Sequence, residues 1–273
     1  MKIWLIIVFC CLTHIGLSQT AWEINTGRIK VPFDNRGVIS DVTVNNSSGL
    51  KFDGIPTIYS NGFALSGFNG SNPWANGVMS AARMLDFQPG KAGSAPDDPK
   101  NRLFVVSLND PPFGDSWQNW RDAVSSGARF WDGDNDGFYN PVDLNSNGSW
   151  DLTEDMPEIM GEVSVWCIYN DAVDTSVRKF KNVLPLGIEV MQTVYAFPHS
   201  DIPEIKDAVF FRYEVKNTGG ISQNLQDIIF GMYSDTDLGD PEDDLVGTDV
   251  VRNSAYYYNR TADFRFGNNP PAV

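Results

Sequence analysis

VSVWCIY, residues 163–169, is the stretch from which the rest of the chain is read. Val163, Val165, Cys167 and Tyr169 alternate with Ser164, Trp166 and Ile168, which predicts a strand buried on both faces. Downstream, GIEVMQTVYAF (187–197) and AVFFRYEVK (208–216) are rich in β-branched and aromatic residues and read as further strands. NTGG (217–220) is a turn, and residues 227–233 and SAYYYN (254–259) add two more strands. No strong amphipathic helix interrupts this half. The expectation is therefore a mainly β chain, an antiparallel β-sandwich of Ig-like or jelly-roll-like type.

The upstream half is richer in Gly, Asn, Ser and Pro, with short strand candidates at 38–44, 57–59 and 103–108. A single short helix is predicted over 116–124, capped by Asp115, with Trp117, Trp120 and Val124 on one face. APDDPKN (95–101) reads as a loop. No linker is long enough to force two domains. The predicted organisation is a signal peptide (1–18), an N-terminal β-rich half (19–130), an inserted loop segment (131–158) and a C-terminal strand half (159–273).

The inserted segment carries the most specific chemistry. DGDNDGFYNPVDLNSNGSWDLTE (132–154) holds two acidic loops in an eleven-residue repeat. Counted from Asp132, oxygen side chains fall at positions 1, 3, 5, 9 and 12: Asp132, Asp134, Asp136, Asn140 and Asp143, with Gly137 at position 6. Counted from Asp143, the same slots hold Asp143, Asn145, Asn147, Asp151 and Glu154, with Gly148 at position 6. Position 7, whose backbone carbonyl is a ligand in such loops, is Phe138 in one copy and Ser149 in the other. Calcium takes six to eight oxygens at about 2.3–2.6 Å, which alternate side chains of a tight loop supply. The second copy satisfies D-x-[DN]-x-[DN]-G-x5-E in full. Asp143 closes one loop and opens the other on this reading, which leaves no room for a helix between them. Position 8 is aromatic in both, Tyr139 and Trp150, and predicts an anchor to a neighbouring core. Asp, Asn and Gly also favour turns without any metal, so a solvated loop is the competing expectation.

A second acidic run, SDTDLGDPEDDLVGTD (234–249), follows the 227–233 strand. Asp235, Asp237, Asp240 and Asp243 are the expected ligands of a second cation there, with Asp244 and Asp249 as further candidates. It fits no fixed calcium pattern, and a solubilising acidic loop is the alternative.

The tandem loops resemble the calcium-wrapped acidic repeats of thrombospondin-like and dockerin-like extracellular segments. The order PLGIEVMQTVYAF, VFFRYEVKNTGG, IIFGMYSDTDLGDPEDDLVGTD, YYYN resembles a family of uncharacterised secreted proteins from Bacteroidetes and Ignavibacteria. Trp117–Trp120, the acidic loops and VSVWCIYND extend the likeness to roughly residues 50–273. Members often carry a C-terminal type IX secretion sorting domain. The resemblance implies export but no established activity. No sorting domain is visible before Val273, and the expectation is a chain that stops mid-domain.

Export is also expected from residues 1–18: Lys2, an apolar run over 3–12, and small residues before a cleavage point after Ser18. The run is too short to stay in a bilayer as a spanning helix, so no membrane insertion is expected after cleavage. Cleavage removes Cys10 and Cys11 and leaves Cys167, so an internal disulfide is excluded in the mature chain. Metal ions are the expected cross-links in their place. Residues 132–158 contain eight acids and no base, and 235–249 contain seven acids and no base. Acid so concentrated argues for ligation and against nucleic acid as a partner.

His14 leaves with the signal, and His199 in FPHSDIP is the one histidine left, which excludes a multi-histidine zinc site. No G-x-S-x-G elbow or Gly-rich phosphate fingerprint accompanies it, so no catalytic residue is assigned. The expected function is a secreted, calcium-binding module with a structural or adhesive role at the cell surface, its partner a surface protein or polysaccharide. A carbohydrate-binding accessory module of an extracellular hydrolase, stacking sugars on its tryptophans, is the alternative.

Overall fold

The computed structural model describes residues 19–80, 84–178, 181–268 and 270–272; the expected signal peptide lies outside them. In chain order the N-terminal half contributes β1 (Ala21–Asn25), β2 (Ile29–Asp34), β3 (Leu50–Phe52), β4 (Ile55–Asn69), β5 (Asn72–Ser80), β6 (Met84–Leu85), β7 (Gln88–Pro89) and β8 (Phe104–Ser107). Helix α1 (Asp115–Ser126) and the short strands β9 (Phe130–Trp131) and β10 (Met156–Pro157) follow. The remainder is β11 (Val163–Asn170), β12 (Ile188–Ala196), the short helix α2 (Pro203–Lys206), β13 (Val209–Asn217), β14 (Leu225–Thr236), β15 (Asp244–Asp249) and β16 (Ser254–Asn259).

These strands form two main antiparallel sheets. One runs β1-β2-β3-β4-β5-β6, with β14 also paired to β4. The other runs β13-β12-β11, and β7 and β8 share the free edge of β11, β7 at its end and β8 at its start. The sheets face each other through one apolar core. Phe33, Phe63, Leu65 and Trp74 enter it from the first sheet, and Val165, Cys167, Tyr169, Val190 and Val194 from the second. The mainly β sandwich architecture expected from the alternating runs is present, with two helices rather than one.

β11 has a second buried face. Trp166 and Ile168 point away from the sandwich into a smaller core with Phe104 and Val106 of β8 and Trp120 and Ala123 of α1. The Trp120 ring lies 6.3 Å from that of Trp166 and 6.5 Å from that of Phe104. Aromatic neighbours at such separations add to the gain from burial alone. α1 therefore packs as a third layer on the outside of the second sheet. Its N-cap is Gly114, and Asp115 sits inside the first turn instead of capping it. There its charge still favours the positive end of the helix dipole. Gly127, at φ 115°, ends the helix in the left-handed conformation.

Two local expectations differ from the structure. Residues 38–44 form isolated bridges at Ile39 and Val44 instead of a strand. Ser40 there has φ 69°, and Asn45 and Asn46 just beyond it are also left-handed, so the chain turns where a strand would run straight. The candidate at 57–59 is part of the fifteen-residue β4, which carries β14 along one edge and β3 then β5 along the other.

Trp120 is 1 % exposed and joins the helix to the sheet. Trp120→Ala should cost about 3–5 kcal/mol of stability, the range for deleting a buried large aromatic. Urea denaturation of residues 19–273 would measure it, and a loss below about 1 kcal/mol would show that α1 is not held by this core.

Candidate metal centre

Phe130 and Trp131 of β9 pair with Pro157 and Met156 of β10. This two-rung ladder is the neck of the acidic segment: residues 132–155 leave through one strand and return through the other. Ion pairs tie the neck to the second sheet. Arg129 reaches Glu214 at 2.6 Å, and Glu158 is held by Arg212, both partners lying on β13.

Within the segment the two loops have the same internal geometry. In the first, Asp132 accepts the N–H of Asp136 on Oδ1 (3.2 Å) and of Gly137 on Oδ2 (3.0 Å). In the second, Asp143 accepts the N–H of Asn147 on Oδ1 (3.1 Å) and of Gly148 on Oδ2 (2.7 Å). Asp134 accepts from Asp136 as Asn145 does from Asn147, and Asp136 accepts from Phe138 as Asn147 does from Ser149. Backbone angles repeat as well: Asn135 and Ser146 at position 4 have φ 61° and 59°, and Gly137 and Gly148 at position 6 have φ 80° and 75°. Residue 6 must take the left-handed conformation, which glycine adopts without steric cost.

Asp132, Asp134 and Asp136 each bring one carboxylate oxygen within 4.8 Å of the others. The second loop presents two amides, Asn145 and Asn147, beside Asp143, so its charge is lower. Crowding has an electrostatic mark. Desolvation holds the Asp134 carboxyl above its usual range, and Asp136, Asp155 and Asp132 push in the same direction against the bond from the Asp136 N–H. In the second loop Asp151 is held below the usual range by the Thr153 hydroxyl, then the Thr153 N–H, with Asn145 adding a further bond.

The closing acids correct one sequence expectation. Glu154 closes the second loop as its pattern requires, accepting the N–H of position 2 (Leu144, 2.7 Å) and of position 9 (Asp151, 3.1 Å). In the first loop the same two bonds, from Gly133 (3.0 Å) and Asn140 (2.6 Å), go to Asp155. Asp143, expected to serve both loops, gives both oxygens to the second. The register of the neck explains this. Trp131 faces Met156, so one step further out Asp132 faces Asp155. Asp155 lies outside the eleven-residue repeat, and its position depends on strand pairing, so counting along the chain does not reach it. Position 9 of the first loop, Asn140, has its Oδ1 bonded to Arg121 of α1 at 2.8 Å.

Of the two position-8 aromatics expected to anchor the loops to a neighbouring core, Tyr139 does so, whereas Trp150 bonds within its own loop. Tyr139 enters the core under α1, its ring 5.2 Å from that of Phe130, and its hydroxyl donates to the Trp117 carbonyl at 3.0 Å. Trp150 donates its indole N–H to the Glu154 carbonyl at 2.9 Å. Trp117 and Trp120 are buried and offer no face to a sugar ring.

The structure does not gather Asp235, Asp237, Asp240 and Asp243; no three of them bring carboxylate oxygens within 4.8 Å of one another. Each is drawn to a local role instead. Asp235 lies in the β14–β4 ladder opposite Ser60. Asp237 donates its backbone N–H to the Thr57 carbonyl, and Asp240 accepts from the Glu242 N–H. The Asp243 carboxylate is taken by the N–H and hydroxyl of Thr261 and by Asn259. Asp244 accepts from the Leu238 N–H, and Asp249 pairs with Arg252. His199 is exposed, its ring nitrogen 2.7 Å from Glu162.

No protein-family model, curated protein or solved structure matches the chain. Among the described residues no helix is long and apolar enough to cross a membrane.

Tyr139→Phe should cost about 1 kcal/mol of global stability, the typical net value of one hydrogen bond. Tyr139→Ala should in addition speed hydrogen exchange at the Asp136 and Gly137 amides. Unchanged exchange at both amides would mean that the first loop keeps its shape without the anchor.

Proposed function

We propose that this protein is a secreted calcium-binding β-sandwich module whose tandem loops hold calcium ions as structural cross-links. The observation that carries the reading is the repetition of one loop geometry in two copies of different charge. Side chains at positions 1, 3 and 5 keep the same backbone partners although Asp134 and Asp136 are replaced by Asn145 and Asn147. Aspartate and asparagine both offer a side-chain oxygen at these positions, and hard oxygen donors in this spacing suit calcium.

The chemistry of cross-linking supports the same reading. Cys167 is a free, buried thiol. A metal that binds only the folded chain adds stability through its binding free energy, as a disulfide does by constraining the unfolded chain. The loops project from a neck joined to both α1 and β13, so an ion there would brace the outer layer against the sandwich. A structural or adhesive role at or outside the cell surface follows from a rigid, acidic module of this kind together with the export signal expected at 1–18. Trp117 and Trp120 are buried and give no support to sugar stacking, while Trp131 is half exposed.

At a hundredfold excess over its dissociation constant, one bound ion adds about 2.7 kcal/mol. For a chain of this size that corresponds to a rise in Tm of roughly 5–10 °C. Scanning calorimetry of residues 19–273 in calcium and in excess chelator measures it. Superimposable melting curves would reject calcium as a cross-link.

A further inference from the structure

We infer that β13 is the edge through which two copies of this chain pair, antiparallel, about a two-fold axis at Tyr213. The inference does not rest on the calcium reading. β12 lies along one side of β13 over all nine of its residues, and among the described residues no strand lies along the other. The Thr218 N–H donates to the Gly187 carbonyl at the end of that ladder, so the even-numbered residues bond to β12. The N–H and C=O groups of Phe211, Tyr213 and Val215 therefore face outward. The strand has no proline and its pairing with β12 no bulge, and an edge of this kind is a template for another strand. The layer beneath it is uncovered as well. Phe230 and Met232 of β14 stand opposite the core residues Leu65 and Phe63 of β4, so they point to the core side, yet they are 41 % and 64 % exposed. The Phe230 ring lies 5.5 Å from that of Tyr213, which makes the open edge and the uncovered side chains one surface.

Charge complementarity selects a second copy as the occupant. On the face of β13 turned away from the core, Arg212, Glu214 and Lys216 alternate in sign. Pairing about Tyr213 sets Arg212 opposite Glu214 of the second copy, and Phe210 opposite its Lys216. On the core side Phe211 meets Val215 of the second copy, and Tyr213 meets its own equivalent. Moving the axis by one residue would set Arg212 opposite Arg212, or Glu214 opposite Glu214, and like charges directly opposite are destabilising. Tyr213 is also the midpoint of Val209–Asn217, so the register with matched charges is the one that pairs the whole strand. Within the chain Arg212 is held by Glu158 and Glu214 by Arg129, and pairing joins the two sets into one network across the axis. A two-fold contact must be self-complementary, and a strand that matches its own reverse in charge and bulk meets that demand. The β13-β12-β11 sheet then continues from one copy into the other, and Phe230 and Met232 come beneath the joined strands.

Sedimentation equilibrium on residues 19–273 should show a dimer. Glu214→Lys should weaken it about tenfold, because two cross-strand pairs turn from attractive to repulsive. At the axis the two Tyr213 α-carbons would lie about 5.5 Å apart, within reach of a disulfide. Tyr213→Cys should therefore oxidise to a covalent dimer, while the buried Cys167 takes no part. Phe211→Cys and Val215→Cys should link to each other when the two proteins are mixed, and neither to itself. Far-UV circular dichroism establishes that each variant is folded, and the mixed pair decides the register if Tyr213→Cys does not fold. A chain that stays monomeric at every concentration would overturn the proposal and assign the open edge to a strand of another protein. A dimer that Glu214→Lys leaves undiminished, or in which no cysteine variant links, would place the contact on a different surface and overturn it as well. Self-linking by Phe211→Cys would overturn the axis at Tyr213.

Discussion

The fold depends on one strand having two hydrophobic faces. β11 sends Val165, Cys167 and Tyr169 into the space between the sheets and Trp166 and Ile168 into the space beneath α1. A strand in an ordinary sandwich needs cover on one side and tolerates water on the other. Here the outer side carries a tryptophan and an isoleucine, so a third layer is required, and α1 supplies it. Everything that follows α1 inherits its position from that contact. The neck of β9 and β10 leaves from the end of α1, and Tyr139 returns to the same small core from the first acidic loop.

Charge then decides where the loop segment lies. A run of eight acids without a base could not be threaded through either core, and it projects from the neck on the outside of the molecule. Its bases come from elsewhere in the chain. Arg129 and Glu158 flank the neck and pair with Glu214 and Arg212 of β13, and Arg121 reaches Asn140 from α1. None of these neutralises the first loop, where Asp132, Asp134 and Asp136 meet. Among the described residues these three carboxylates form no ion pair. On the calcium reading proposed above, their pre-orientation would lower the entropy lost on binding.

Parts of this were legible in the sequence and parts were not, and the division follows the range of the interaction. The C-terminal strands were readable because alternation is a local signal with period two. The interior of each calcium-type loop was readable because Asx turns and left-handed glycines are set within six residues. The closing acid of the first loop was not, since Asp155 is placed by the register of β9 against β10. β4 was missed over most of its length because glycine, asparagine and serine punctuate IPTIYSNGFALSGFN. Gly62 shows why a poor strand former is kept: a β-carbon there would run into the Val78 carbonyl of the neighbouring strand. The 235–249 acids read as a cage, but Thr261 and Asn259 take the Asp243 carboxylate, Arg252 takes that of Asp249, and Asp240 and Asp244 accept backbone N–H groups.

Cys167 sits at the centre of the doubly covered strand, and burial raises its thiol far above the ordinary range. A thiol so protected has neither access to a reagent nor the thiolate that reacts with one. It reacts only when β11 is exposed, and exposing β11 means parting the two sheets or lifting α1. Cys167 is thus a chemical clock at the innermost point of the fold. The rate at which a thiol reagent consumes it reports how often the molecule opens to its centre, a quantity the fluctuations of surface loops leave unchanged.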